Sequence, residues 1–216
     1  MEILGAVPNI FKQLYDKTGI VIPIRGCIHV GAHEGQEYPL YKHYGIKNLL
    51  FYEALPDNFE LLKKTIKDDI FVDARNIALG NTSGTVEMHL EDRGLSSSVL
   101  KPKHHLEQYP QIKFEKTETV NIARLDDEDF IRDNYNFMNI DVQGYELEVL
   151  KGAVNSLKYI DIIISEINKE EMYEGCALVE DVDEFLSDYG FQRYATYWQQ
   201  DGGTWGDGLY LKVNNA

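Results

Sequence analysis

Apolar positions along this chain fall into short continuous runs, and the stretches between them carry helical spacing. The first run is Cys27, Ile28 and Val30, and it stops at Gly31. A glycine-bearing turn, GAHEG, follows, then a segment with Tyr38, Tyr41 and Tyr44 that Gly45 closes. A second run, Leu49 to Tyr52, ends on Glu53. Short apolar runs bounded by turn residues predict buried strands, so Cys27 to Glu53 reads as one βαβ unit. Pro56 suits a first helical turn, and Phe59, Leu62 and Ile66 follow it at helical spacing. FVDARNIAL (71–79) reads as a third strand. GTVEMHLED (84–92) alternates Val86, Met88 and Leu90 with polar residues, as a half-buried strand does.

Periodicity lapses from Arg93 to Glu118, a segment with two prolines, three successive serines and a local excess of Lys, Arg and His. A long aperiodic stretch inside a domain predicts a lid or acceptor-binding insertion, a solvated insertion being the plain alternative. Regularity returns with TVNIARL (119–125), and DDEDFIRDN reads as a short helix with acids at its positive end. Phe137 to Ile140 form a buried strand ended by Asp141, and Gly144 turns the chain into a helix with Leu147, Leu150, Val154 and Leu157 on one face. YIDIIISEIN (159–168) is a further strand. A helix with Val179, Val182, Leu186 and Tyr189 follows, and GFQRYATYW and GDGLYLKV close the chain as a hairpin. Upstream, Ile10, Phe11, Leu14 and Tyr15 mark a helix over 8–18 within an N-terminal extension (1–25). The order predicts an α/β fold: a doubly wound, mostly parallel sheet with a C-terminal antiparallel hairpin, in one domain spanning 1–216.

Charge narrows the partners. A formal net charge of −15 argues against a nucleic-acid partner, which needs a basic face. No run approaches the roughly 18 to 20 apolar residues of a membrane span, and the N-terminus lacks a signal-peptide pattern. Cys27 falls in a buried strand and Cys176 in a loop, so the two do not form a disulfide framework, and a reducing, cytoplasmic setting is expected.

In such sheets ligands bind beyond the carboxyl ends of the strands. Gly31 and Gly35 let the backbone approach a ligand there. Glu53 lies 22 residues after Gly31, close to the roughly 20-residue spacing at which an acid grips ribose hydroxyls. The turn has two glycines where a dinucleotide site wants three, and no GKS or GKT follows. It therefore suits a nucleoside without phosphates, S-adenosyl-L-methionine (SAM) being the leading candidate. Asp141 and Glu166 close consecutive parallel strands, so their side chains are expected to meet, share a proton, raise one pKa, or hold a divalent ion.

The blocks VGAHEG, FYEALPDNF, NIALGNTSGTVEMHL with LSSSVL, NIDVQGYELEVLKGA and SEI resemble, in order and spacing, the FkbM-type SAM-dependent methyltransferases. The resemblance covers about Ile28 to Ile167. It implies a class I methyltransferase fold and methyl transfer from SAM to a hydroxyl, often on a sugar or glycan. By the same resemblance, Gly31, Ala32 and Gly35 would pass the methionine part of SAM and Glu53 would hold the ribose. Asn76 to Ala78 would lie near the adenine edge, with Ser97 bordering the ligand. Asp141, Gln143 and Gly144 would form the wall between cofactor and acceptor. The chain departs from the family at His29 and His33, where Asp and Asn are more frequent, at Ala54 for a common proline, at Asn139 for a lysine, and at Tyr145 for a small residue.

The expected general base is Asp141, supported by Glu166, with His33 as the alternative. Asp141, Glu166 and Asn168 are oxygen ligands of the kind magnesium takes, without requiring it. The acceptor is expected to touch residues 93–118 and the hairpin around Tyr197, Trp198 and Trp205, with His104 and His105 more readily solvated than engaged. A nicotinamide-dependent oxidoreductase and a non-catalytic nucleotide-binding module are the competing readings. The spacing leaves the oligomeric state open.

Overall fold

The computed structural model describes residues 23–92, 96–199 and 203–213. The helix expected over 8–18, and most of the extension to residue 25, lie outside the described residues.

The chain builds β1 (Gly26–Val30), α1 (Tyr38–His43), β2 (Asn48–Tyr52), α2 (Pro56–Ile66) and β3 (Val72–Arg75) in succession. It continues through β4 (Ala78–Leu79), β5 (Gly84–Leu90), α3 (His104–Gln108) and β6 (Lys116–Ala123). β7 (Phe137–Ile140), α4 (Glu146–Lys151), β8 (Ile162–Asn168), α5 (Val179–Asp188), β9 (Phe191–Trp198) and β10 (Trp205–Lys212) complete it. Seven strands form the main sheet in the order β3-β2-β1-β7-β8-β10-β9. β10 alone runs antiparallel to its neighbours β8 and β9. The strand order reverses at β1, which has β2 on one side and β7 on the other. This is the expected doubly wound sheet with its closing hairpin.

Both faces of β1 are buried, and its alternate residues feed separate cores, as a period of two requires. Ile28 and Val30 pack with Met138, Ile140 and Ile163 beneath α4 and α5. Cys27 packs with Phe51, Phe137 and Ile164 against Tyr41 of α1 and Leu62 of α2. A polar trio sits inside the second core. Tyr41 is fully buried, its hydroxyl accepts from Asn139 Nδ2 at 2.9 Å, and His29 Nδ1 lies 3.3 Å away. Burial lowers the His29 pKa to about 3, so this ring is a neutral core residue.

Four local expectations are corrected. Residues 71–79 do not form one strand: the chain breaks at Asn76, whose amide donates to the carbonyls of Glu53 and Ala54, and β4 joins a second sheet ordered β4-β6-β5. β6 begins at Lys116, inside the segment expected to be irregular, because it pairs with β5. DDEDFIRDN forms two separate 3-10 turns, Leu125–Asp127 and Arg132–Asn134, not a helix. In α4 and the turns after it, the buried side chains are Glu146, Val149, Leu150, Ala153 and Leu157, while Leu147 and Val154 sit at the margin. That stripe is offset because the side chain of Glu146 turns inward.

The second sheet is docked by close backbone contact. A Cβ at Gly152 would lie 1.9 Å from the Gly80 carbonyl oxygen. Among the described residues no helix is long and apolar enough to cross a membrane. Gly152→Ala should force the second sheet off α4 and cost about 1–3 kcal/mol, as overpacking does, measured as a lower denaturant midpoint in chemical unfolding.

Candidate active site

Five strand ends and the second sheet enclose a cleft of about 330 Å3 where the strand order reverses. Val30 pairs with Ile140, so Gly31 and Asp141 leave the sheet side by side. Gly31 has φ +81°, and a Cβ there would sit 1.8 Å from the Asp141 carbonyl oxygen. Only glycine fits that crossing.

One end of the cleft is fixed by Glu53. Its Oε2 accepts the His33 N–H at 2.8 Å and its Oε1 accepts the Leu55 N–H at 2.9 Å. Burial raises the pKa of this carboxyl, and the two N–H donors oppose the rise. The Asn58 side chain adds a third donor, and a carboxylate's roughly four acceptor sites still leave room for one more. Beside it, Leu55, Ile77, Ala78, Met88 and Val99 form an apolar slot.

The other end is acidic. Glu37, Asp141, Glu166 and Asp207 all line it, and no Lys or Arg does among the described residues. Gln143, with φ +56°, ties two of these acids together. Its Nε2 donates to Asp141 Oδ1 at 2.8 Å and to Glu166 Oε2 at 2.9 Å, while its Oε1 accepts from the Tyr173 hydroxyl at 2.7 Å. Ser98 Oγ donates to the Gln143 carbonyl. A left-handed backbone at a non-glycine residue costs roughly 1–3 kcal/mol and persists where its surroundings hold it, as these four bonds do here.

Crowding shifts the protons. Burial, then repulsion from Asp141, pushes Glu166 well above the usual carboxylate range. Burial pushes Glu37 up to about 7, Glu146 up to about 7 and Asp207 up to about 8. Asp141 is raised too, by the protein around it, although it is exposed to the cleft. The two titrate as a pair in which Glu166 is held the higher, so Asp141 is the member that ionises more readily.

Of the residues expected from sequence, the structure places Gly31, His33, Glu53, Ala78, Ser97, Asp141, Gln143 and Glu166 on the cleft wall. Ala32, Gly35, Asn76 and Gly144 stand behind it. Ala32 is buried in the core, a Cβ at Gly35 would meet Leu62 at 2.7 Å, and one at Gly144 would meet Tyr173 at 2.9 Å. His33 has φ +47° and its Nδ1 contacts Gln36 Nε2 at 2.7 Å. Asp141 and Glu166 are brought together through the Gln143 amide. Among the described residues no three His, Cys, Asp or Glu side chains gather closely enough to hold a metal ion, and Asn168 is buried away from the cleft wall. The Gln143 amide, donating to both Asp141 and Glu166, occupies the place between them that a shared cation would take.

Three acids escaped the sequence reading. Glu146 caps the turn after β7, accepting from the N–H groups of Val142 and Gly144. Its signal is an acid two residues past the glycine that turns the chain from strand into helix. Asp207 lies opposite Glu166 across the β8–β10 pairing, and a charged residue between two glycines of an apolar strand marks it. Glu37 precedes α1 and carries no comparable signal.

The model of the family described as "Methyltransferase FkbM domain" matches residues 29–193. A curated relative, the 2-O-methyltransferase NoeI of Sinorhizobium fredii, is 29% identical over 108 residues, covering 46% of this chain and 44% of that protein. The chain thus aligns with less than half the length of this relative. Among solved structures, Sp1610 of Streptococcus pneumoniae in complex with SAM is similar at TM-score 0.52 and 15% identity, covering 93% of this chain and 72% of that one. Magnesium protoporphyrin IX methyltransferase of Synechocystis PCC 6803, with bound SAM, is similar at TM-score 0.52 and 10% identity, covering 96% and 78%. At these identities the two structures support the fold.

The crowded acids weaken the folded state as they ionise. Asp207 titrates higher in the folded chain than in the unfolded one, so stability falls as pH rises from about 4, the ordinary Asp value, towards 8. Asp207→Asn should therefore gain melting temperature over the natural chain progressively between pH 5.5 and 8.5, read by thermal unfolding across that range. An advantage that does not grow with pH would show that Asp207 ionises freely in the fold.

Proposed function

Because the chain belongs to the FkbM methyltransferase family, we propose that it moves a methyl group from SAM to a hydroxyl, most readily that of a sugar or glycan. The observation that carries this reading is the charge layout of the cleft. The buried carboxylate of Glu53 stands at one end, an apolar slot lies beside it, and acids without a balancing Lys or Arg occupy the other end among the described residues. That surface suits an adenosine bearing a sulfonium and an ammonium. A nicotinamide dinucleotide brings a pyrophosphate, which this wall would repel.

In this reading Glu53 takes the ribose hydroxyls, and Leu55, Ala78 and Met88 sandwich the adenine, with Ser97 at its border. Gly31 and His33 flank the methionine part. Ala32, Gly35, Asn76 and Gly144 act from behind by shaping the backbone. When bound, SAM supplies a methyl on a sulfonium whose C–S electron pair stays on the departing sulfur. The protein supplies orientation, which can lower the barrier by roughly 7–11 kcal/mol, and a base for the hydroxyl proton. Asp141 is that base: it ionises more readily than Glu166, and it borders both this cleft and a second cavity beside it. Gln143 bonds both Asp141 and Glu166, so the base is held against rotating away. His33 borders only the first and serves as a ligand-facing group.

Calorimetry should detect S-adenosylhomocysteine and fail to detect NAD. Asp141→Asn should keep S-adenosylhomocysteine affinity within about threefold, while transfer of labelled methyl into a panel of glycosides falls by about 10^2 to 10^4, the usual share of a general base. Full turnover in this variant would remove Asp141 from the role.

A further inference from the structure

Tyr173 stands outside the wall of the cleft and reaches its acids through one residue, Gln143. It follows β8, its side chain is buried, and a Cβ at Gly144 would meet its ring at 2.9 Å. Its backbone bridges to Pro102 in the segment after β5. The ring is thus packed in place with its hydroxyl beside the Gln143 amide. Two acceptors compete for the one proton of that hydroxyl: Gln143 Oε1 at 2.7 Å and the Ser96 carbonyl at 3.1 Å. The shorter bond goes to Gln143. Burial, then repulsion from Glu166, Glu146 and Asp141, holds the phenol well above its ordinary range, so the hydroxyl keeps its proton and stays a donor.

A primary amide has a donor end and an acceptor end of nearly the same shape, and its partners decide which way it faces. Asp141 and Glu166 do not decide this by themselves. Two ionised carboxylates call for the N–H end, yet a protonated carboxyl can donate to the oxygen end just as well. A donor on the far side removes the ambiguity. Once Oε1 accepts from Tyr173, Nε2 faces the acids, as it does at 2.8 Å from Asp141 and 2.9 Å from Glu166. Glu146 in the turn after β7, Asp207 of β10, Glu37 ahead of α1 and His33 in the first turn also face this pair. None of them bonds the Gln143 side chain among the described residues.

We propose that Tyr173 is a positioning residue for methyl transfer: its hydroxyl fixes the Gln143 amide with the N–H end towards Asp141 and Glu166, which keeps Asp141 ready to accept a proton. The proposal rests on the reading of Asp141 as the base and adds the residue that prepares it from outside the cleft. Burial raises Asp141, and the Gln143 N–H opposes that rise. Turned around, the amide would set its oxygen against the carboxylate and add to the rise.

The test is a pH titration by NMR of the full chain carrying 13C at its side-chain carboxyls, with the Asp141 signal assigned by its loss in Asp141→Asn. In Tyr173→Phe, which keeps the ring and removes the hydroxyl, Asp141 should titrate at higher pH than in the natural chain. Gln143→Met should move it the same way. Tyr173→Phe added to Gln143→Met should move it no further, because the route is already cut. Transfer of labelled methyl into the glycoside panel should fall about tenfold at neutral pH in Tyr173→Phe, part of the usual share of a general base, and recover as the pH is raised. A packing role would leave the Asp141 titration unmoved and the loss independent of pH. An unchanged titration in Tyr173→Phe, or a further shift in the double variant, overturns the proposal. A natural chain that methylates no glycoside sinks the acceptor reading instead, and the titration still decides the role of Tyr173. Should Tyr173→Phe not fold, Tyr173→4-fluorophenylalanine fills the place of the hydroxyl without a donor and is read the same way.

Discussion

The cleft depends on β1 and β7 lying parallel and level at their carboxyl ends. Val30 opposite Ile140 delivers Gly31 and Asp141 to the same point, and the missing side chain of Gly31 lets the two backbones touch. Everything around that point is hung from it. β2 brings Glu53 alongside β1, β8 brings Glu166 alongside β7, and β10 brings Asp207 opposite Glu166. A sheet whose strands end together gathers polar termini along one edge, which is why α/β sheets carry their chemistry there.

Much of this was legible because strands buried on both faces leave strong signals. Runs such as Cys27 to Val30 and Ile162 to Ile164 admit almost no polar residue, and the acids that end them stand out. The pattern weakened where tertiary contacts overrule periodicity. Asn76 breaks an apparently continuous strand because its amide is claimed by the Glu53 and Ala54 carbonyls. Pairing with β5 starts β6 three residues inside a stretch with no periodicity of its own. Glu146 drew no separate notice in the sequence and is a buried cap. His105 sits in a basic, proline-bearing stretch and is nonetheless enclosed by three aromatic rings.

Two of the positions that depart from the resemblance lie side by side. His29 and Asn139 occupy adjacent strands at paired positions, and Asn139 Nδ2 approaches His29 Nε2 at 3.3 Å. The resemblance puts an acid and a lysine more often at these places. Here a neutral ring and an amide take their place, completed by the Tyr41 hydroxyl. Burying two neutral, hydrogen-bonded groups avoids the desolvation cost of two charges.

The acid-rich end of the cleft has a consequence for anything positively charged that enters. With no Lys or Arg to balance them among the described residues, Glu37 and Asp207 are pushed up to about 7 and about 8 and so are partly protonated at neutral pH. An arriving cation favours their ionised forms and drives those protons into the solvent. Association of a cation is then a proton-exchange reaction, its apparent heat varies with the ionisation enthalpy of the buffer, and its strength increases as the solution becomes more alkaline.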